Sequence, residues 1–156
     1  MKYFLLSALS FFAFTICVAC SCEKLQKISS SEVENASHIF IGRVIKSAVF
    51  EQGRQFTFHV TTKLKPGIAD TVEIRTGFGG SDCGLNMQDG QEWYIFAYDI
   101  EGKHWSGLCG RSALLSEIPS PGTTINKKYR GAVLRSYNTK KRRALKEIKF
   151  IRKFTG

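Results

Sequence analysis

Apolar and polar residues alternate along the first two thirds of the chain in a pattern that is typical of short β-strands. The most regular run, residues 55–64, alternates over its whole length and predicts a half-buried strand. Its apolar side consists of Phe56, Phe58, Val60, Thr62 and Leu64. Similar runs predict strands at 38–45, 71–76 and 92–100 and a fifth near 104–110, with turn signals at 65–67 and 89–90.

The pattern changes to a helical period near the C-terminus. Apolar residues recur there at helical spacing among basic ones, and no glycine or proline interrupts Ala132 to Thr155. The apolar positions are Leu134, Tyr137, Leu145, Ile148 and Ile151. We therefore predict one or two helices within a basic tail of residues 122–156.

Five short strands followed by a helix predict a mainly β fold with flanking helices. A small closed barrel of the OB type suits five strands because closure leaves no sheet edge exposed, whereas a seven-stranded sandwich needs more strands. The chain has 156 residues, of which 43% are hydrophobic, and is long enough for one core. The prediction is a five-stranded OB-type barrel plus a C-terminal helix, in a single domain over residues 20–156.

The first 19 residues have the pattern of a secretory signal peptide. Lys2 precedes an apolar stretch from Tyr3 to Val18, and Cys17-Val18-Ala19 places small residues before a cleavage site after Ala19. The alternative, a membrane anchor, requires about 20 apolar residues, and this stretch is shorter and is interrupted by hydroxyl residues. A removed signal peptide over residues 1–19 is favoured and predicts a secreted protein, extracellular or periplasmic.

Cleavage after Ala19 leaves four cysteines, an even number, in a compartment that oxidises thiols. They are Cys20, Cys22, Cys83 and Cys109. Four cysteines allow three pairings, and the pairing that joins Cys20 to Cys22 would close a very tight, strained ring. The other two pairings join Cys20 and Cys22 to Cys83 and Cys109 in either order, and cysteine spacing alone does not choose between them.

Positive charge is concentrated at the C-terminus. Residues 20–121 contain ten Lys or Arg against twelve Asp or Glu, whereas residues 122–156 contain twelve Lys or Arg against Glu147 alone. As a structural element, the tail is an amphipathic helix that packs Leu145, Ile148 and Ile151 on the barrel and leaves a solvated charged face.

The same tail also has a functional interpretation. The run KKRR at residues 140–143 and its neighbours would then bind an anionic polysaccharide or a membrane surface. OB barrels also bind nucleic acid, but an exported, disulfide-bonded chain is not expected to meet it, and no nucleic-acid partner is predicted.

Several short motifs follow one another in an order that is more informative than any one of them. They are Cys20-Ser21-Cys22, Ser81-Asp82-Cys83-Gly84 in a glycine-rich loop, the strand from Gly90 to Ala97, and Leu108-Cys109. In this order and at these separations they resemble the netrin-like module, most closely the N-terminal inhibitory domain of the tissue inhibitors of metalloproteinases. The resemblance extends from Cys20 to about Tyr129 and implies an OB-type barrel with flanking helices.

The resemblance also implies a disulfide pattern and a mode of action. The family pattern pairs Cys20 with Cys83 and Cys22 with Cys109. In the family, the α-amine and carbonyl of the first cysteine chelate the zinc of the target protease, so Cys20 would bind the partner's zinc.

The contacts with the protease follow from the same resemblance. Ser21 would enter the specificity pocket, and Cys22 and Glu23 would continue along the cleft, while Ser81 and Asp82 would form a second contact ridge. The protein is then a monomeric inhibitor of a zinc metalloprotease, not an enzyme, and it needs no cofactor of its own.

The chain departs from the family pattern at two places. No cysteine follows Cys109, so the third disulfide that the inhibitory domain usually has is missing, and Ala132 stands where a cysteine is expected. Glu23 puts a charge just after the C-x-C motif, where the family tends to have a small apolar residue.

The cysteines and histidines allow three other chemistries, and the sequence disfavours each of them. Acylation of Cys20 would make a lipoprotein, but Cys17 stands where a lipobox typically has leucine, and acylation would block the amine and any Cys20 disulfide. A four-cysteine zinc site lacks the paired C-x-x-C spacing of structural sites. His38, His59 and His104 form no metal-binding group in the sequence, and no Ser-His-Asp or Cys-His arrangement can be nominated.

The sequence therefore predicts one of two functions. The favoured one is an exported netrin-like inhibitor of a zinc endopeptidase. The alternative is a netrin-like interaction module without protease inhibition, which binds an extracellular protein or a polyanion.

Overall fold

The computed structural model describes residues 20–117 and 127–155. Its elements in chain order are helix α1 (Ser30–Asn35), strands β1 (His38–Phe50), β2 (Gly53–Lys63) and β3 (Thr71–Thr76), a short 3-10 turn (Gly80–Asp82), strands β4 (Glu92–Ile100), β5 (Lys103–Trp105) and β6 (Ala113–Leu114), and helix α2 (Lys127–Thr155). The predicted signal peptide, residues 1–19, and residues 118–126 of the basic tail lie outside the described residues.

The strands form one six-stranded sheet in the order β1-β2-β3-β5-β4-β6. β1 also pairs with β4, from His38 opposite Ala97 to Arg43 opposite Glu92, so that five of the strands form a ring. β6 joins this ring at β4. The prediction of a mainly β fold with a C-terminal helix is confirmed.

Two strands differ in length from the ranges that the sequence predicts. β1 continues to Phe50, which lies opposite Gly53 across a tight hairpin, although most side chains after Val44 are exposed. The predicted fifth strand ends at Trp105, because residues 106–112 turn away as a loop before β6. Helix α1 and strand β6 were not predicted, since six and two residues are too short for a periodic pattern.

Two apolar clusters lie on the two faces of the sheet. One joins the ring strands through residues such as Phe40, Phe58 and Ile95, and the other lies between the sheet and the two helices around Ile39 and Phe96. β1 and β4 contribute to both clusters, which explains why their sequences are apolar on both faces. The alternation predicted for β2 is confirmed, with the side of Phe58 buried and the opposite side largely exposed.

Helix α2 is one continuous helix that is attached to the sheet by a narrow apolar side. Ala144, Ile148 and Ile151 are buried in the second cluster, and burial of each isoleucine contributes roughly 1.5–3 kcal/mol. The prediction that Leu145 packs on this face is wrong, because it is 48% exposed. Leu145 follows Ala144 and therefore points about 100° away around the helix. Neither helix in the described ranges has the length and apolar character needed to cross a lipid bilayer.

A buried arginine joins both helices to the loop between β5 and β6. Arg111 contacts both carboxylate oxygens of Glu32 at 2.5 and 2.6 Å, and its Nη1 lies 2.6 Å from Oε1 of Glu147. It also donates to the carbonyl of Gln26 at 3.0 Å. Burial alone would lower the pKa of Arg111, but the hydrogen bonds to Glu32 and the charge of Glu147 outweigh it and raise that pKa. Arg111 therefore stays charged and holds α1 and α2 on the same loop.

Candidate functional site

Two disulfides attach the segment after the predicted cleavage site to two separate loops. Cys20 is bonded to Cys83 and Cys22 to Cys109, with Cα–Cα distances of 5.3 and 5.0 Å. This is the pairing that the resemblance implied. The bridges span 63 and 87 residues of sequence, and the chain-entropy model gives about 4 kcal/mol for each. A segment that would otherwise fray is therefore fixed in position and direction.

The two bridges pack against each other. Sγ of Cys109 lies 3.7 Å from Sγ of Cys20 and 3.5 Å from Sγ of Cys83, and all four sulfurs are within 4.8 Å of one another. A structural zinc site needs free thiolates, and here every sulfur of the group is in a disulfide. The bridges are compatible with an extracellular protein.

Ser21 lies between the two bridged cysteines and is exposed. Cys22 and Glu23 are also exposed, whereas Cys20 is half-buried. Because both neighbours of Ser21 are fixed, the segment loses little backbone freedom when it binds a partner. Residues 20–23 thus form a rigid, outward-facing edge.

The Cys83 bridge brings the loop of residues 77–84 beside this edge. Ser81 and Asp82 belong to the short 3-10 turn and are both exposed. The carboxylate of Asp82 nevertheless turns back into the loop, where it accepts hydrogen bonds from the amides of Phe78, Gly79 and Gly84 at 2.5, 2.7 and 3.1 Å. Asp82 therefore shapes the loop, and Ser81 is the side chain of the pair that remains free for a partner.

Backbone geometry fixes the end of this loop. Cys83 adopts a left-handed conformation with φ of 58°, which costs on the order of 1 kcal/mol for a residue with a side chain. A Cβ on the next residue, Gly84, would collide with the backbone of Gly77. The carbonyl of Cys83 accepts the Leu108 amide at 2.7 Å, so the loop is held to the segment that carries the second disulfide.

Phe78 is a further candidate for contact with a partner, and the motifs in the sequence did not identify it. It is 45% exposed and lies between two glycines at the start of the same loop as Ser81. Large aromatic side chains are enriched where proteins bind other proteins. The sequence signal was present, since an aromatic residue within the glycine-rich run GFGG has no neighbouring side chains to bury it.

Replacing Asp82 by asparagine is expected to loosen residues 77–84, because an amide oxygen replaces two charged acceptors of three backbone hydrogen bonds. The backbone amides, that of Gly84 first, hold the pKa of Asp82 below its usual 3.8. The stabilisation is therefore present above pH 3.8 and is lost only as pH falls through the lowered pKa. Hydrogen exchange of the Phe78 and Gly84 amides should become several-fold faster. Ser81→Ala is the control, and equal exchange in both variants would contradict this role.

Most of the basic run at residues 140–143 has a structural role. Lys140 donates to the carbonyl of Leu108 at 3.1 Å, Lys141 donates to the carbonyl of Leu115, and Arg143 donates to the carbonyl of Arg111 at 3.0 Å. Lys140 and Arg143 therefore hold the loop that carries Cys109, and Lys141 holds the segment that follows β6. Of the four residues in the run, Arg142 alone is exposed, and the other three are half-buried.

The structure brings together two histidines that lie far apart in the sequence. His38 on β1 and His104 on β5 lie on either side of β4, with ring centroids 3.8 Å apart. Burial lowers the pKa of His38, and so do the charges of His104 and Lys65, while Asp99 opposes them. His38 is therefore neutral at physiological pH, and the pair packs as part of the fold.

Acid is expected to weaken the protein through protonation of His38. Since the pKa of folded His38 lies below its usual 6.5, the unfolded state binds more protons below pH 6.5, and stability falls as pH drops through that range. His38→Asn should flatten the pH dependence of Tm between about pH 7.5 and 5. His59→Asn, at an exposed position of β2, should leave the slope as it is. An unchanged slope in His38→Asn would contradict the assignment.

Compared with known proteins, the chain matches no protein-family model and no curated protein.

Proposed function

We propose that the protein is an exported inhibitor of zinc metalloendopeptidases. The observation that carries the proposal is the rigid edge of residues 20–23, in which two disulfides fix Cys20 and Cys22 while Ser21 between them is exposed. The loop of residues 77–84, joined to this edge through Cys83, adds a second exposed segment.

The inhibitory group is the mature N-terminus itself. The catalytic zinc of a protease keeps one coordination position for water, and a ligand with two correctly spaced donors displaces that water. The free α-amine and the carbonyl oxygen of Cys20 form a five-membered chelate with such a metal ion. An α-amino pKa of about 7.7 to 8.0 makes deprotonation inexpensive near neutral pH. The zinc belongs to the protease, and the inhibitor supplies only its backbone atoms.

The neighbouring side chains determine which proteases fit. Ser21 points into the pocket next to the zinc, and its small size favours proteases with a shallow pocket. Glu23 follows along the cleft and disfavours acidic clefts, because two carboxylates would repel each other. Ser81 and Phe78 contact the rim from the second loop, and Asp82 acts there by holding that loop in shape.

We also propose that the ring of strands is an OB-type barrel of the netrin-like module. The strand order β1-β2-β3-β5-β4, with β4 returning to β1, is consistent with a five-stranded closed barrel. Export requires removal of residues 1–19 and leaves Cys20 with a free amine. The disulfides support an oxidising destination.

The experiment is an inhibition assay of the mature chain, starting at Cys20, against a panel of zinc endopeptidases. N-terminal sequencing and intact mass first establish the start and exclude a diacylglyceryl group on Cys20. We expect inhibition that disappears when the α-amine is carbamylated. Absence of inhibition by the unmodified protein, or inhibition that survives carbamylation, would overturn the proposal, and the former would favour a non-inhibitory interaction module.

A further inference from the structure

The outward face of α2 carries a straight line of cations. Arg135, Arg142, Lys146, Lys149 and Lys153 are all exposed. With about 100° between successive residues, these five fall within a sector of about 60° that points away from Ala144 and Ile151. The line extends about 27 Å along the helix, at 1.5 Å per residue. We call these five residues the cationic stripe.

Negative charge is lacking along this stripe. Glu147 is the single acidic residue of α2, and its side chain is buried against Arg111 on the opposite side of the helix. None of the five cations forms an ion pair with a carboxylate of a described residue. Their charges therefore add, and each counterion that they hold is available for release to a polyanion.

The stripe differs from the basic run in the sequence. Lys140, Lys141 and Arg143 donate to loop carbonyls on the sheet side of the helix. Arg142 is thus the single residue of KKRR that belongs to the stripe. Because one side of α2 packs on the sheet, the cations on the other side face solvent. The helical repeat places these cations in one line although they are separated in the sequence.

The shape of the stripe favours a linear partner over a flat one. A membrane-bound helix inserts a continuous apolar face into the lipid interface, but the apolar face of α2 is occupied by the sheet through Ile148 and Ile151. The apolar side chains that α2 leaves exposed, Leu134, Leu145 and Phe154, are too far apart along and around the helix to form a second one. Asn138 and Thr139 are exposed beside the line of charge and can hydrogen-bond to hydroxyl groups. We propose that the cationic stripe is a binding site for a linear anionic polysaccharide, which lies along α2.

The test compares two triple variants on one probe, heparin, a linear sulfated polysaccharide. Arg142→Gln/Lys146→Gln/Lys149→Gln removes three cations of the stripe, and Lys27→Gln/Lys46→Gln/Lys103→Gln removes three exposed cations elsewhere. Binding is measured by calorimetry at about 0.15 M salt and again across a salt series.

The stripe variant should bind heparin roughly 100-fold more weakly than the wild type. The slope of log Kd against log salt should fall by about two to three. The control variant should change Kd by less than about threefold, because scattered surface charges that do not contact the ligand contribute little to its binding. Equal losses in the two variants would overturn the assignment to α2. Both variants should keep the wild-type Tm, since all six residues are exposed.

Two further probes decide the class of partner. Vesicles of phosphatidylcholine with phosphatidylserine represent an anionic membrane, and single-stranded DNA represents a nucleic acid. Tighter binding of either one than of heparin would overturn the polysaccharide proposal. Protease inhibition by the stripe variant should equal that of the wild type, so the stripe and the proposed inhibitory edge succeed or fail independently.

Discussion

Adding one alanine before Cys20 is expected to weaken inhibition of a susceptible zinc endopeptidase by at least about 1000-fold, because several kcal/mol of metal coordination are lost. The extension converts the α-amine of Cys20 into a peptide nitrogen, which is a poor zinc ligand. It also places a residue where the catalytic zinc would sit. The measurement is the inhibition constant of the extended and unextended proteins, each prepared with a verified N-terminus.

The extended protein should remain folded, since neither disulfide uses the α-amine. Its Tm and its disulfide mass map should match those of the wild type. Lys24→Ala is the control beside the same edge, because it changes an exposed side chain that has no proposed contact with the protease and leaves the chelating atoms in place. Inhibition by the extended protein that matches the wild type would reject the chelation mechanism.

The strands were predictable because successive side chains of a strand point to opposite faces of the sheet, so a half-buried strand has alternating apolar and polar residues. Residues 55–64 identify the buried side of β2, with Phe56 and Phe58 in the core. The alternation is less informative where a strand is hydrogen-bonded to its neighbour but its side chains are not buried. The end of β1 is exposed yet hydrogen-bonded to β2, so its last residues have no apolar period to reveal them.

Helix α2 illustrates how a periodic pattern leaves the rotation of a helix undetermined. Leu145, Ile148 and Ile151 share one spacing, but Ala144 and not Leu145 faces the sheet. An alanine carries little hydrophobic signal, although it permits close approach of the helix to the sheet. The same rotation divides the run KKRR into three residues that donate hydrogen bonds to backbone carbonyls before and after β6 and one that faces solvent.

The sequence predicted which cysteines belong to the candidate site, but it did not predict the conformation of the loop of residues 77–84. The C-x-C spacing and the motif SDCG directed attention to residues 20–23 and 81–82. That the Asp82 carboxylate turns toward its own loop depends on the directions of three backbone amides. Those directions follow from glycine conformations that no local motif specifies. Likewise, the pairing of His38 with His104 depends on their common neighbour β4.

Arg111→Met is expected to lower the free energy of unfolding by about 3–5 kcal/mol, the usual cost of removing one partner of a buried ion pair. The Arg111 side chain is 3% exposed, and the substitution leaves Glu147, whose side chain is 6% exposed, without its closest cation. Glu32 is 27% exposed and can recover part of its hydration. Chemical denaturation at neutral pH measures the loss, and hydrogen exchange in α2 should increase with it.

The double variant Arg111→Met/Glu147→Met separates an ion-pair effect from a packing effect. If the cost of the single variant comes from the stranded charge of Glu147, removing that charge should restore most of the lost stability, since buried pairs can often be replaced by apolar side chains of similar volume. Arg43→Met, which removes an exposed hydrogen bond to the carbonyl of Gly90, should cost less than about 1 kcal/mol. A double variant no more stable than Arg111→Met would show that Arg111 acts through its contacts with Glu32 and Gln26, and that its ion pair with Glu147 does not stabilise the attachment of α2.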